Sequence, residues 1–349
     1  MSTRIGKTPT LPSATMGIMK IALLGAMGFV GQSAARELAG RTDVAELLLV
    51  DYNIREAKKF GRALSPKCRW AMADVGCAPD LERLLDDVDA VANAVGPCAE
   101  YEKGVFLTCA RSKRPVASIG DGVLSGDDRR EIHDAFRRAG AGAVSGCGLF
   151  PGWTDLLAAH FLPAGAGERS SREGGKTFLF CSPDRFGGYA FFRRIARELG
   201  RPLGPPPRAP AGRYFEAGEG RAIGLPEGKP AGICKGIAGG FGVFGAVGRE
   251  MSAAFLFWLR RSLRPAATTP AAAAGVCPAG EGHKGYAAII DPDGRVAGTM
   301  LAETVLLLGR ERGKRNGLLP LPEILGREEA ARIASSCNAT VTVDPPERF

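Results

Sequence analysis

Histidine is scarce in this chain: three occur in 349 residues, and none forms a Cys/His pair at zinc-finger spacing. The nine cysteines include no C-x-x-C, and no apolar signal segment precedes them. Structural zinc and a secreted disulfide framework are thereby excluded; a reduced, cytoplasmic protein without a metal site is expected. No Gly-X-Y period or short repeat accompanies the 48 Gly and 24 Pro, so collagen-like and solenoid architectures drop out. An uninterrupted membrane span is also missing. Residues 237–259 are apolar and long enough, but Arg249 and Glu250 sit at their centre, where each charge costs roughly 2.5–3.5 kcal/mol. The stretch ends Phe255-Leu256-Phe257-Trp258 before Arg260, Arg261 and Arg264, a pattern that suits a core or dimer helix, with peripheral membrane contact as the other reading.

What is present is globular: 45% hydrophobic and 24% charged residues, over a length that suggests two domains. The net charge of +9 is local. From Arg185 to Arg264 there are 12 Arg and 2 Lys against five Glu, so this stretch carries the whole excess. Arginine concentrated in this way suits an anionic small-molecule partner, whereas nucleic acid has no motif behind it.

Apolar periodicity sets the organisation. Residues 1–17 read as a disordered leader. Strands are expected at 18–24, 44–50, 90–95, 115–119 and 142–145, alternating with helices at 29–38, 80–87, 101–112 and 127–138. That rhythm predicts an α/β fold, a Rossmann-type doubly wound parallel sheet over 18–150. A second α/β domain, for substrate and dimerisation, is expected over 151–295. It takes in a strand at 176–181, a helix at 189–199 and a strand at 287–290, with the Pro-rich 202–210 and the Ala/Pro/Gly stretch 265–282 as loops. Residues 296–349 read as C-terminal helices, chiefly an apolar one at 299–308 and more at 322–336 before a strand at 339–343, with a return to the Rossmann domain open.

Gly25-Ala26-Met27-Gly28-Phe29-Val30-Gly31 follows the first strand and opens the first helix. Glycines at this spacing permit a tight turn and close backbone approach to a pyrophosphate at a helix N-terminus. Asp51 lies 20 residues after Gly31, where a carboxylate reaches ribose hydroxyls and repels a 2′-phosphate. NAD is therefore the expected cofactor, and Arg55, Lys58 and Lys59 leave NADP open.

These residues resemble the saccharopine dehydrogenase-like NAD(P)-dependent oxidoreductases, whose first turn has the same three glycines. Asp74 and Val75 are similar to the family's pair beside the adenine, and Asn93-Ala94-Val95-Gly96-Pro97 to its V-G-P loop near the nicotinamide ribose. Tyr101 to Ala110 resembles the helix that follows. Gly146-Cys147-Gly148-Leu149-Phe150-Pro151-Gly152 resembles the crossing into the second domain, and Asn316-Gly317-Leu318-Leu319-Pro320 a late G-G-x-x-T-P turn. The likeness covers about 18–152 well and 285–330 moderately. Two departures stand out: Val116-Ala117-Ser118 replaces a frequent Y-V-D, and Pro320 stands for the expected Thr.

The resemblance implies hydride transfer to or from an anionic small molecule, with opine-like reduction of an amino-acid-derived imine as its centre. Such chemistry needs no nucleophile, and no triad is present. For the proton, His283 in a Gly-rich loop and Tyr189 are the candidates, with solvation and packing as their plain alternatives. Arg193 and Arg197, one turn apart, are the candidate substrate clamp or else a solvated basic face. Rival readings are an enoyl-reductase-like enzyme on a lipid-linked substrate and a non-catalytic dinucleotide-binding adaptor; a homodimer is expected in each case.

Overall fold

The computed structural model describes residues 18–120, 124–162, 176–182, 202–206, 209–216, 221–226, 269–277 and 286–344, with a few isolated positions between 185 and 258. Alternation along the first strand, β1 (Met19–Leu24), dictates a sheet covered on both faces. Ile21 and Leu23 enter one apolar core and Ala22 and Leu24 the other, all four fully buried. β1 pairs in parallel with β2 (Val44–Val50) and β4 (Ala90–Asn93). With β3 (Cys68–Ala71), β5 (Val116–Ser118), β6 (Gly142–Ser145) and β13 (Gly317–Leu319) they form a seven-stranded parallel sheet, order β13-β6-β5-β4-β1-β2-β3. The chain reverses direction of growth between β1 and β4, which opens a crevice at the carboxyl ends of those strands.

Helices cover both faces. On one lie α1 (Phe29–Gly40) and α7 (Val296–Arg310), in close contact because Gly298 has no side chain where Ser33 enters; a Cβ there would lie 2.4 Å from the Ser33 Cβ. On the other lie α3 (Ala78–Leu85), α4 (Cys98–Arg111) and α5 (Gly126–Ala139), burying Leu81, Leu85, Val105, Phe106, Ile132 and Phe136. The Phe106 and Phe136 rings meet edge-on at 6.1 Å, worth about 0.5–1.5 kcal/mol beyond their burial. A reciprocal cap starts α5: Ser125 Oγ accepts the Asp128 N–H at 3.1 Å and the Asp128 carboxylate accepts the Ser125 N–H at 3.2 Å. Left-handed Gly140 ends it. Helix α2 (Ile54–Leu64) and β3 are additions to the sequence reading. Only Ala57 and Gly61 of α2 are buried, too thin a stripe to announce a helix.

A second sheet has the order β14-β12-β11-β7-β10-β9-β8, made of β7 (Lys176–Cys181), β8 (Pro202–Leu203), β9 (Arg213–Glu216), β10 (Arg221–Leu225), β11 (Ala272–Cys277), β12 (Tyr286–Asp291) and β14 (Thr340–Asp344). Here the expected loop 265–282 is corrected: β11 is a strand between β7 and β12, both antiparallel to it. Its run of alanines lacks strand propensity, but small residues are what the packing needs. A Cβ on Gly275 would come 2.3 Å from the Phe178 ring. Strands β9 and β10 likewise follow the Pro-rich stretch read as loop. Between the two sheets, α6 (Trp153–His160), α8 (Leu321–Ile324) and α9 (Arg327–Ser336) join one continuous apolar core. The region 296–344 is therefore not helical throughout: β13, absent from the sequence reading, joins the first sheet, while the strand expected at 339–343 is present as β14 in the second. Among the described residues, no helix is long and apolar enough to cross a membrane.

Candidate dinucleotide and substrate site

The glycine turn sits in the crevice between β1 and β4. Gly25 adopts φ +71° and donates its N–H to the Val50 carbonyl at 2.9 Å; a Cβ there would lie 2.8 Å from the Ala94 oxygen. Gly31 is needed for packing, since its Cβ would fall 2.1 Å from the Gly25 oxygen. Gly28 differs. A Cβ there would meet only the Gly25 oxygen at 3.2 Å and the Ala94 oxygen at 3.9 Å, so its bareness serves what passes over it. Helix α1 has no capping side chain and no acidic residue in its first turn, leaving the positive end of the helix to an anion. These features fit a pyrophosphate. At the end of β2, Asp51 accepts the Met27 N–H on Oδ2 at 2.8 Å and the Asn53 N–H on Oδ1 at 2.9 Å. The carboxylate is thus fixed against the turn, with lone pairs to spare for ribose hydroxyls.

On the β2–β3 side, Asp74 accepts the Gly76 N–H at 2.8 Å. It also accepts a hydrogen bond from the Tyr52 hydroxyl, which raises that phenol above its ordinary value. Tyr52 and Met72 are 62% and 65% exposed beside it, two bare apolar side chains suited to lie against a purine. Sequence reasoning missed both. Val75, expected beside the adenine, is buried in the core with Leu81 and reaches the crevice only through its neighbours. Of the α2 cations, Lys58 turns with Arg62 over the Trp70 ring, at 5.9 and 5.5 Å.

At the ends of β4 and β5, buried Asn93 donates to Ser118 Oγ at 3.1 Å and accepts the Val95 N–H at 3.2 Å, which shapes the loop into Gly96 and Pro97. The Gly96–Pro97 and Phe150–Pro151 peptides are both cis. The junction 146–152 folds tightly onto the sheet: Cys147 donates its N–H to the Ser118 carbonyl at 2.8 Å, and Trp153 its N–H to Gly148 at 3.0 Å. Burial pushes the Cys147 thiol up to about 12, so it stays protonated and is no nucleophile.

Beneath this junction lies a carboxylate that the sequence did not announce. Glu102 is 1% exposed, and its Oε1 accepts the Ser145 hydroxyl at 2.9 Å. Gly120, at φ +41°, makes room for the pair; a Cβ there would sit 2.5 Å from Ser145 Oγ and 2.9 Å from Glu102 Oε1. The one available signal was an acid within a mostly apolar helix. A cavity of about 770 Å³ opens beside Ser145 and Gly146, beyond the crevice.

Of the expected proton and clamp residues, His283, Tyr189 and Arg197 lie outside the described residues. Arg193 is described. Its guanidinium donates to the Glu100 carboxylate at 2.6 Å, joining the second domain to the start of α4. His133 and His160 each place a ring nitrogen on a backbone carbonyl, Leu318 at 3.3 Å and Leu325 at 2.9 Å.

Comparison with known proteins agrees with this geometry. The saccharopine dehydrogenase NADP binding domain family matches residues 21–144. The fold resembles saccharopine dehydrogenase (L-Glu forming) from Saccharomyces cerevisiae, with 14% identity, a TM-score of 0.54, and 93% of this chain and 99% of that chain covered. More distant likenesses are to a dihydrodipicolinate reductase from a Paenisporosarcina species, at 11% identity and a TM-score of 0.46 over 88% of this chain and 98% of that one. Another is GenD2 from gentamicin A biosynthesis, in complex with NAD, at 15% identity and a TM-score of 0.38 over 64% and 70%. Residues 21–144 thus match a saccharopine dehydrogenase-type NADP-binding domain, which supports an NAD(P) oxidoreductase, and the whole chain has a fold like that of saccharopine dehydrogenase.

Proposed function

We propose that the chain prefers NAD and moves a hydride to or from an anionic small molecule, centrally an amino-acid-derived imine. The observation that carries the reading is the arrangement along one row of strand ends. The glycine turn and Asp51 stand at β1 and β2, the Asn93 loop at β4, and the buried Glu102–Ser145 pair at β6. A dinucleotide laid across that crevice would have its adenosine over Asp51 and Asp74, its phosphates at Gly28 and its reactive end toward Ser145.

The nicotinamide, when bound, supplies or accepts the hydride. The chain's own share is orientation, exclusion of water and one proton per hydride. Ser145 already donates to Glu102, so in the oxidative direction the Ser145 hydroxyl can accept a proton from a substrate nitrogen or oxygen as it releases its own to the carboxylate. In the reductive direction the same proton returns. Glu102 would thus fill the place of the carboxylate missing from Val116-Ala117-Ser118.

The test is reduced-cofactor consumption by the full chain with 2-oxo acids, alone and paired with amino acids. Turnover that requires both partners supports imine reduction. Cofactor binding with no consumption on any pair would overturn the enzymatic reading in favour of an adaptor.

A further inference from the structure

Trp258 is the most exposed large apolar side chain among the described residues, at 73%. Its neighbour Phe257 points the other way. Both are helical, and the Phe257 ring meets the buried Phe192 ring edge-on at 6.1 Å. Phe192 is followed by Arg193, whose guanidinium donates to Glu100 on α4 at 2.6 Å. One step along a helix turns a side chain by about 100°. Anchoring Phe257 on the body of the protein therefore carries Trp258 off that contact and into solvent.

The sequence around this ring has one sign of charge. Between Met251 and Gly280 there are three arginines, Arg260, Arg261 and Arg264, and no acidic residue. Chain connectivity alone keeps the Cα of Arg260 within about 7 Å, and that of Arg264 within about 22 Å, of the Cα of Trp258. An indole and a guanidinium cluster at that range match the boundary of an anionic bilayer. The ring settles at headgroup level with its N–H toward water, and each arginine beside the lipid phosphates strengthens binding about fivefold. A second copy of the chain fits less well. A two-fold contact centred on Trp258 would set the three arginines against their own images, with no acid in the stretch to pair with them. Among the described residues no helix can cross a membrane, so the contact is with the surface alone.

We propose that Trp258 and the arginines that follow it dock this protein peripherally on a bilayer that carries anionic phospholipid. The docking concerns where the protein sits and stands apart from the hydride-transfer reading.

The test is co-sedimentation of the full chain with vesicles of phosphatidylcholine alone and of phosphatidylcholine with about a third phosphatidylserine, with tryptophan emission read in parallel. Of the three tryptophans, Trp153 is fully buried and Trp70 lies beneath Lys58 and Arg62, so a change on binding reports Trp258. The chain should sediment with the anionic vesicles only, its emission should shift to the blue and resist acrylamide, and about 1 M salt should release it. Trp258→Ala should weaken binding about tenfold, and Arg260→Ala, Arg261→Ala and Arg264→Ala together about a hundredfold. Trp258→Phe should still bind but lose the emission change. Thermal melts of these variants should match the parent, because Trp258 is exposed. A parent chain that stays in solution with both vesicles, binding without an emission change, or Trp258→Ala and triple variants that bind as the parent does would each overturn the proposal. So would a dimer that Trp258→Ala converts to monomers, since the ring would then belong to a contact between copies.

Discussion

The backbone N–H of Met27 donates to Oδ2 of Asp51 at 2.8 Å, so the carboxylate expected to read the ribose also braces the turn expected to hold the phosphates. Two functions on one side chain can be separated. Asp51→Asn keeps an acceptor for Met27 but loses the charge, whereas Asp51→Ser loses reach and charge together. Charge-assisted hydrogen bonds of about 1.5–3 kcal/mol correspond to roughly ten- to hundredfold in affinity. Calorimetry should show that Asp51→Ser loses NAD affinity on that scale while NADP affinity holds or rises, with Asp51→Asn in between. Equal NAD and NADP affinities in the unaltered chain would contradict the assigned preference.

The glycines of the turn make opposite predictions. At Gly31 a side chain would collide with the Gly25 oxygen, so Gly31→Ala should lower Tm, with a cost of about 1–3 kcal/mol or more. At Gly28 the nearest contact would be 3.2 Å, so Gly28→Val should fold and melt nearly as the parent yet bind neither NAD nor NADP. Thermal melts with and without cofactor separate the two. A Gly28→Val chain that retains cofactor-induced stabilisation would show that the phosphates do not cross that glycine.

The contrast between β1 and β11 shows what the sequence could reveal. Residues 19–24 carry branched apolar side chains to both faces and end in a glycine turn, so strand, crevice and cofactor loop could be read together. The AAAGVC strand gives no such signal, because its smallness answers to Phe178 on a strand nearly a hundred residues away. Function divides in the same way. Gly25 to Gly31 and Asp51 are local in sequence pattern, whereas Glu102 and Ser145 meet only because α4 and β6 come together across the sheet. Arg129, on helix α5, and Arg221, at the start of β10, line one cavity, and neither stands in a motif.

Asp291 starts α7 from the end of β12. Its Oδ1 accepts the Gly294 N–H at 2.8 Å and its Oδ2 the Val296 N–H at 2.9 Å. Burial nevertheless raises its pKa above the ordinary 3.8, the four surrounding N–H groups offsetting only part of that cost. A raised folded-state pKa means that the ionised form is disfavoured by folding, and that this penalty is relieved as pH falls through the folded pKa toward 3.8 and below. Asp291→Asn removes the titration and, with the amide oxygen kept at Oδ1, the hydrogen bond accepted from the Val296 N–H. At neutral pH it should cost about 1–3 kcal/mol, and the advantage of the parent over the variant should grow on acidification. Denaturant midpoints at several pH values check the sign; an advantage that shrinks with acid would refute it.

The Glu102–Ser145 pair makes the most demanding prediction, because a buried carboxylate can serve packing as well as proton transfer. If Ser145 passes a substrate proton to Glu102, Glu102→Gln and Ser145→Ala should each lower kcat about 10²- to 10⁴-fold in the oxidative direction while leaving NAD(P) affinity alone. The double variant should fall little further than either single one, since the two groups act as a unit. Glu102→Gln should also erase the acid limb of the kcat profile in that direction, as the limb reports protonation of the acceptor. A structural role would move other quantities. Glu102→Gln keeps the acceptor oxygen for Ser145 Oγ, so a purely structural Glu102 would leave kcat near the parent value and the acid limb in place. A full kcat in Glu102→Gln, or an unchanged acid limb, would therefore remove this pair from the proton path and leave the proton to a group that faces the cavity directly.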